Sequence, residues 1–309
     1  MPAASDGWNT TDGIECVMVK ASTTDSKDSY TLYLAVMAGY KIKTSVTLYS
    51  NFVYNIYIPE ANFNKAMIDG VDATATLVEI DGVNYYHVVV NIPAAESLDD
   101  IKLTVTLNSG NTTVDANWTL SVLKYAKSVT NGNYNDTTQD LMKDMLVYAS
   151  ASHTYFENAL DADKAAEVTA LLAGYSKAMP EGEAKKPTDT TYFTNIGVNV
   201  GAVPSFRFYL AAGYTKDNFS FKVGNRTVEA TEGNDKYGDY LEVTMYAYMM
   251  LDDVTFTVKG TDVTGTYNLY SYYEYAKTLN NANLVAIVEG LMKYSVSAIN
   301  YRKAVIGES

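Results

Sequence analysis

Met145-Leu-Val-Tyr-Ala-Ser-Ala-Ser-His-Thr-Tyr155 and Leu291-Met-Lys-Tyr-Ser-Val-Ser-Ala-Ile-Asn-Tyr301 are two versions of one segment. They lie 146 residues apart and share tyrosine at the fourth and eleventh positions, with small residues between. Outward from this pair, three more blocks recur in the same order. Lys124-Tyr-Ala-Lys127 answers to Glu274-Tyr-Ala-Lys277, and Leu98-Asp-Asp-Ile-Lys-Leu-Thr-Val105 answers to Leu251-Asp-Asp-Val-Thr-Phe-Thr-Val258. Asn51-Phe-Val-Tyr-Asn-Ile-Tyr57 answers to Ser205-Phe-Arg-Phe-Tyr-Leu-Ala211. The spacing grows from 146 to 154 residues toward the N-terminus, so the second copy has the shorter loops. Four collinear matches define a duplication, and 309 residues hold two domains of ordinary size.

Each copy begins with strand signals. Val46-Thr-Leu-Tyr-Ser50 and Phe52–Ile58 are β-branched and aromatic and stop at Pro59. Residues 73–80 alternate, Asp81-Gly82 turns the chain, and residues 84–92 return as the second arm of a hairpin. Ile101, Leu103, Val105 and Leu107 share one strand face. In the second copy Phe206–Leu210, Phe219–Val223, Tyr240–Tyr246 and Val254–Val258 do the same.

The period then changes to helical. Ser121–Ser128 and Ser271–Leu279 read as short helices. A longer helix follows, capped by Thr137 or Thr138, with Leu141, Met145, Tyr148, Ala149, Ser152 and Phe156 on one face. Asp161 caps a further helix over residues 161–177, and residues 180–187 read as a linker between Pro180 and Pro187. The expected fold is mainly β with helices (α+β). Two tandem antiparallel β-sandwich domains, residues 1–184 and 185–309, are each followed by a short helix and a longer packing helix. Residues 1–43 carry two strand-like runs, Gly13–Ala21 and Tyr30–Ala38, which form an extra N-terminal hairpin or a remnant of a preceding module.

Composition narrows the function. A net charge of −13 disfavours nucleic acid and anionic membrane surfaces, since both need a cationic face. The sequence has no uninterrupted apolar stretch of membrane-spanning length, so no direct membrane insertion is expected. The single Cys16 leaves no intramolecular disulfide, and the two histidines, His87 and His153, leave little for histidine chemistry. The start lacks the pattern of a signal peptide, and low Lys with abundant Thr, Asn and Tyr fits a piece excised from a longer secreted chain.

The helix frame Leu-x-x-x-Met-Leu-x-Tyr-small-x-small-x-x-x-Tyr-Phe, preceded by a Tyr-Ala-Lys helix, resembles a tandem repeat domain of large surface proteins of gut Firmicutes, of the Ruminococcus and Blautia type. Residues 145–156 keep that frame with a different small-residue core, and residues 291–301 depart further, running into Arg302. The resemblance covers about residues 44–158 and 195–303. It implies a display or binding module at the cell surface. Some large proteins of these bacteria bind host immunoglobulins, and others hold glycans.

No catalytic, metal or nucleotide motif stands out, and no cofactor is expected. Asp99-Asp100 and Asp252-Asp253 recur in both copies but sit where a turn precedes a strand. Asn131-Gly-Asn-Tyr-Asn-Asp136 resembles a calcium loop only faintly, with its glycine misplaced and Met142 where a bidentate glutamate belongs. Tyrosine is the excess residue, 27 in all. Tyr270, Tyr272, Tyr273 and Tyr275 crowd one short helix, Tyr85 and Tyr86 share a strand, and Tyr246 and Tyr248 precede Met249-Met250. Tyrosine gives rigid amphipathic contact area, and it also fills cross-strand pairs. The candidate ligand-binding residues are therefore Tyr85, Tyr86, Tyr246, Tyr248, Tyr270, Tyr272 and Tyr273. The expected activity is non-enzymatic binding of a host protein, with immunoglobulin the named candidate. The alternatives are a glycan, for which only Trp8 and Trp118 supply indoles, or a structural spacer.

Overall fold

A computed structural model describes residues 18–20, 42–48, 52–109, 112–156, 160–200 and 203–307. Trp8, Cys16 and the run Tyr30–Ala38 lie outside the described residues. The fold is α+β, and the duplication is written into its strand order.

The first copy contributes β1 (Met18–Lys20), β2 (Lys43–Thr47), β3 (Val53–Pro59), β4 (Phe63–Ile68), β5 (Val71–Asp72), β6 (Ala75–Ile80), β7 (Val83–Asn91), β8 (Ile101–Ser109) and β9 (Thr112–Leu120). The second contributes β10 (Phe193–Asn199), β11 (Ser205–Leu210), β12 (Phe219–Val223), β13 (Arg226–Val228), β14 (Thr231–Asp235), β15 (Gly238–Thr244), β16 (Val254–Val258) and β17 (Thr264–Tyr267). One sheet of each copy runs β2-β3-β7-β6 and β10-β11-β15-β14. The other runs β9-β8-β4-β5 and β17-β16-β12-β13, with β1 added outside β9. All pairings are antiparallel.

Alternation explains the sandwiches. In β8, Leu103, Val105 and Leu107 are buried, as the sequence pattern predicts, and in β16 Val254, Phe256 and Val258 are. Aromatic rings close the second sandwich, with Phe208 of β11 5.1 Å from Phe221 of β12 and Phe193 of β10 4.9 Å from Phe256. The β6–β7 hairpin turns on Asp81 and Gly82, both at positive φ, a conformation that matches strand twist.

The helices are α1 (Val122–Asn131), α2 (Asp136–Phe156), α3 (Ala162–Leu171), α4 (Leu269–Thr278) and α5 (Ala282–Tyr301). The cap of α2 is Asn135 rather than Thr137 or Thr138, its Oδ1 accepting from the Thr138 amide at 2.9 Å. The equivalent residue, Asn281, caps α5 in the same way through Leu284. Asp161 caps α3 as expected, accepting from Asp163 and Lys164. That helix stops at Leu171 rather than residue 177, because Gly174 then takes positive φ.

Two compact units result. One holds β1, β2, Val53–Ile92 and Asp99–Val122. The other holds Pro93–Leu98 and the chain from Leu123 onward, so α1 and α2 of the first copy belong with the second copy. The 184/185 boundary expected from the repeated sequence blocks differs from these units, which follow contact. In the second unit α2 and α5 make the most extensive contact between two elements. Tyr148 and Tyr294, equivalent residues of the two copies, stack there at 5.8 Å and 16°. Gly290 permits the approach, since a Cβ there would lie 2.9 Å from Tyr148 Cα. Phe156, expected on the buried stripe, is exposed beyond the last buried residue, His153. The stretch Ala282–Val305 is long and apolar enough to cross a membrane by length and composition, and half of its apolar window is buried.

Asp144 lies inside this contact, fully buried, where the second copy has Gly290. Its Oδ2 accepts from Lys177 Nζ at 2.9 Å and from Ser297 Oγ at 2.7 Å. The linker is also held in place. Tyr270 donates its hydroxyl to the Glu181 carbonyl at 3.0 Å, Asn268 donates to the Glu183 carbonyl, and Ser271 donates to the Lys185 carbonyl.

Candidate functional site

Most of the predicted tyrosines have structural duties. Tyr85 is buried in β7 with Lys43 Nζ 5.1 Å from its ring centre, and Tyr86 stacks on Phe63 at 4.3 Å. Tyr270 lies flat on Gly182, where any Cβ would collide with its ring. Tyr273 donates to Glu289 Oε1 at 2.6 Å, and that bond together with burial pushes its hydroxyl up to about 12. Tyr272 is half-buried beside Tyr275, and burial raises its hydroxyl to about 12 as well. Of the aspartate pairs, Asp253 has a structural place. Asp253 accepts from Lys185 Nζ at 2.5 Å and Asn268 Nδ2 at 3.0 Å, which ties the linker to the start of α4. Asn135, in the loop whose sequence faintly resembles a calcium site, is a helix cap, and no cluster of three or more His, Cys, Asp or Glu placed to hold a metal occurs among the described residues.

Tyr246 and Tyr248 differ. A short 3-10 turn, Ala247–Met249, buries Ala247 and Met249 and turns the two tyrosines outward. Their rings stack at 5.7 Å and 22°, and Tyr246 is 40% exposed. The Arg302 guanidinium lies 3.7 Å from the centre of the Tyr248 ring, a cation–π contact that fixes both groups. Arg302 opens a π-helical turn, Arg302–Ile306, that ends α5 at Gly307 in the left-handed region. Such turns recur at functional sites.

Arg226 enters from the β12–β13 hairpin, whose Gly224 takes φ +54. With Tyr248, Asp252, Arg302 and Lys303 it lines a pocket of about 450 Å³ floored by Met249 and Ile299. The Asp252 carboxyl is raised above its usual value chiefly by burial; nearby Arg226 opposes the shift and Asp253 adds to it. The chain has three arginines, and two of them line this pocket. The third, Arg207, is committed elsewhere: its Nε donates to Glu242 Oε1 at 2.9 Å and its guanidinium covers the Tyr240 ring at 4.5 Å.

The first copy supplies a control. Its matching 3-10 turn, Ala94–Glu96, carries Pro93 and Ala95 where Tyr246 and Tyr248 stand, and Phe156 stands where Arg302 does. The fold therefore forms without those side chains. From the sequence Asp252 reads as a turn residue and neither Arg226 nor Arg302 stands out as a contact residue, although the divergence of the two copies at Arg302 was the available signal. A larger, shallower groove of about 530 Å³ in the first unit crosses β5 to β7 beside exposed Val71 and Val89, and no Lys or Arg lines it.

No protein-family model, no curated protein and no solved structure matches this chain.

Proposed function

We propose that this chain is a non-enzymatic, extracellular binding module of a bacterial surface protein, and that it holds a host protein such as immunoglobulin. The observation that carries the reading is the asymmetry between two copies of one fold. Only the second adds Tyr246, Tyr248 and Arg302 at an exposed corner, and Tyr and Arg dominate the energetic centres of protein interfaces. The stacked helices α2 and α5 supply a rigid mount for display. A protein ligand suits this corner better than a glycan, because the Arg302 guanidinium already occupies one side of the Tyr248 ring.

The test is surface binding of the whole chain to pooled immunoglobulin and to separated Fab and Fc, with a glycan panel alongside. Saturable binding to Fab or Fc that weakens in Tyr246→Ala/Tyr248→Ala supports the reading. A glycan response with no protein response replaces it with the glycan module, and silence on both leaves a spacer.

A further inference from the structure

We propose that the Arg226–Arg302–Lys303 pocket receives the carboxylate side chains of an acidic peptide segment on the protein partner. This deepens the protein-binding reading and rests on it.

The first argument is charge. Acidic residues outnumber basic ones 36 to 23 along the chain, yet three cations and one carboxylate share this pocket. A chain of net charge −13 repels polyanions at long range, so an acidic segment gains here only through local contacts. The second argument is geometry. Arg302 is already oriented by the Tyr248 ring, so little side-chain freedom is lost when its planar fork meets a carboxylate. Arg226 and Asp252 line the same pocket as Arg302, so the second arginine borders the same space. The third argument is the floor. Val223, Met249 and Ile299 offer apolar contact to the methylene stem that carries a glutamate carboxylate. A sugar acid would want an open aromatic face, and the Arg302 guanidinium already covers one side of the Tyr248 ring. Finally, Phe156 stands in the first copy where Arg302 stands in the second, and Ala95 where Tyr248 does, so the Arg302–Tyr248 pair is an addition to the fold and not a requirement of it.

Three arginines make the test simple. The arginine Nε–H signals of the whole ¹⁵N-labelled chain are followed by NMR while capped hexaglutamate is added, with capped hexaglutamine and N-acetylneuraminic acid as separate arms. The expected result is saturable movement of the Arg226 and Arg302 signals with Arg207, held by Glu242, unmoved. Arg302→Gln and the exposed Arg226→Gln should each weaken hexaglutamate binding by about tenfold, and the Arg226 variant keeps the test alive if the other fails to fold. Equal movement with hexaglutamine, movement only with the sugar acid, no saturable movement, or shifts that track protein concentration without peptide would each overturn the proposal. Immunoglobulin binding that survives Arg226→Gln/Arg302→Gln would overturn this inference and leave the protein-binding reading standing. Hexaglutamate binding without immunoglobulin binding would do the reverse for the named partner.

Discussion

The two copies share strand order, paired 3-10 turns and Asn-capped long helices, yet they have diverged at two places. At the α2–α5 crossing the first copy carries the buried Asp144, while the second carries Gly290, whose backbone lies close to Tyr148. At the corner after β7 or β15, the first copy has Pro93 and Ala95, while the second has Tyr246 and Tyr248 under Arg302. The crossing is asymmetric in its partners: Gly290 lies against the Tyr148 backbone, while Asp144 is held by Ser297 and Lys177. The corner is asymmetric in exposure: Ala95 is buried in the first copy, while Tyr246 reaches the surface in the second. Duplication thus separates what the fold needs from what one copy has added.

That separation can be broken at the crossing first. Asp144→Ala should cost about 3 kcal/mol of unfolding free energy, the low end for a broken buried pair because Lys177 keeps partial access to water. Denaturant titration of the whole chain measures it. On the partner helix, Gly290→Val should cost about 2 kcal/mol by overpacking against the Tyr148 backbone. If either variant is neutral, the crossing is not a specific joint. At the corner, Tyr248→Ala should weaken immunoglobulin binding by about tenfold while unfolding stability falls by about 1 kcal/mol or less. The caps should behave alike: Asn135→Ala and Asn281→Ala should each cost about 1 kcal/mol, and unequal losses would show that the copies differ in local as well as tertiary stability.

The smallest effect concerns His87, whose counterpart strand has no histidine. Its ring stacks on Tyr57 at 4.5 Å, and Nε2 lies 2.9 Å from Asn55 Oδ1. Burial lowers its pKa below the ordinary 6.5. The unfolded chain therefore takes up this proton first, and the stability contributed by neutral His87 is full above pH 6.5 and is lost as pH falls toward the folded value. The fall in melting temperature from neutral to mildly acidic pH should be smaller in His87→Gln than in the parent.

Much of the architecture was readable because it depends on local periodicity. The β8 alternation, the Asp81-Gly82 turn, the Asp161 cap and the buried face from Leu141 to Ser152 all come from short-range rules. The edges were harder. β13, β14 and β17 are short and polar, and Thr231-Glu-Gly-Asn-Asp235 carries no strand signal because its partner β15 supplies the ladder. Residues 180–187 read as linker because Pro, Gly and Glu dominate, although α4 and Asn268 hold their carbonyls.

The site was less readable than the fold. Five of the seven chosen tyrosines fill structural places, because tyrosine composition does not reveal whether a hydroxyl reaches Glu181, Glu289 or solvent. By itself the sequence determined the duplication, the strand and helix periods, and the pairing of equivalent blocks, since these depend on residues near one another along the chain. The tertiary structure alone decided which rings face outward, and it alone brought Arg226, Tyr248 and Arg302 to one pocket. Those three come from a hairpin, a 3-10 turn and a helix end far apart in sequence, and only the packing of the sandwich against α5 sets their distances.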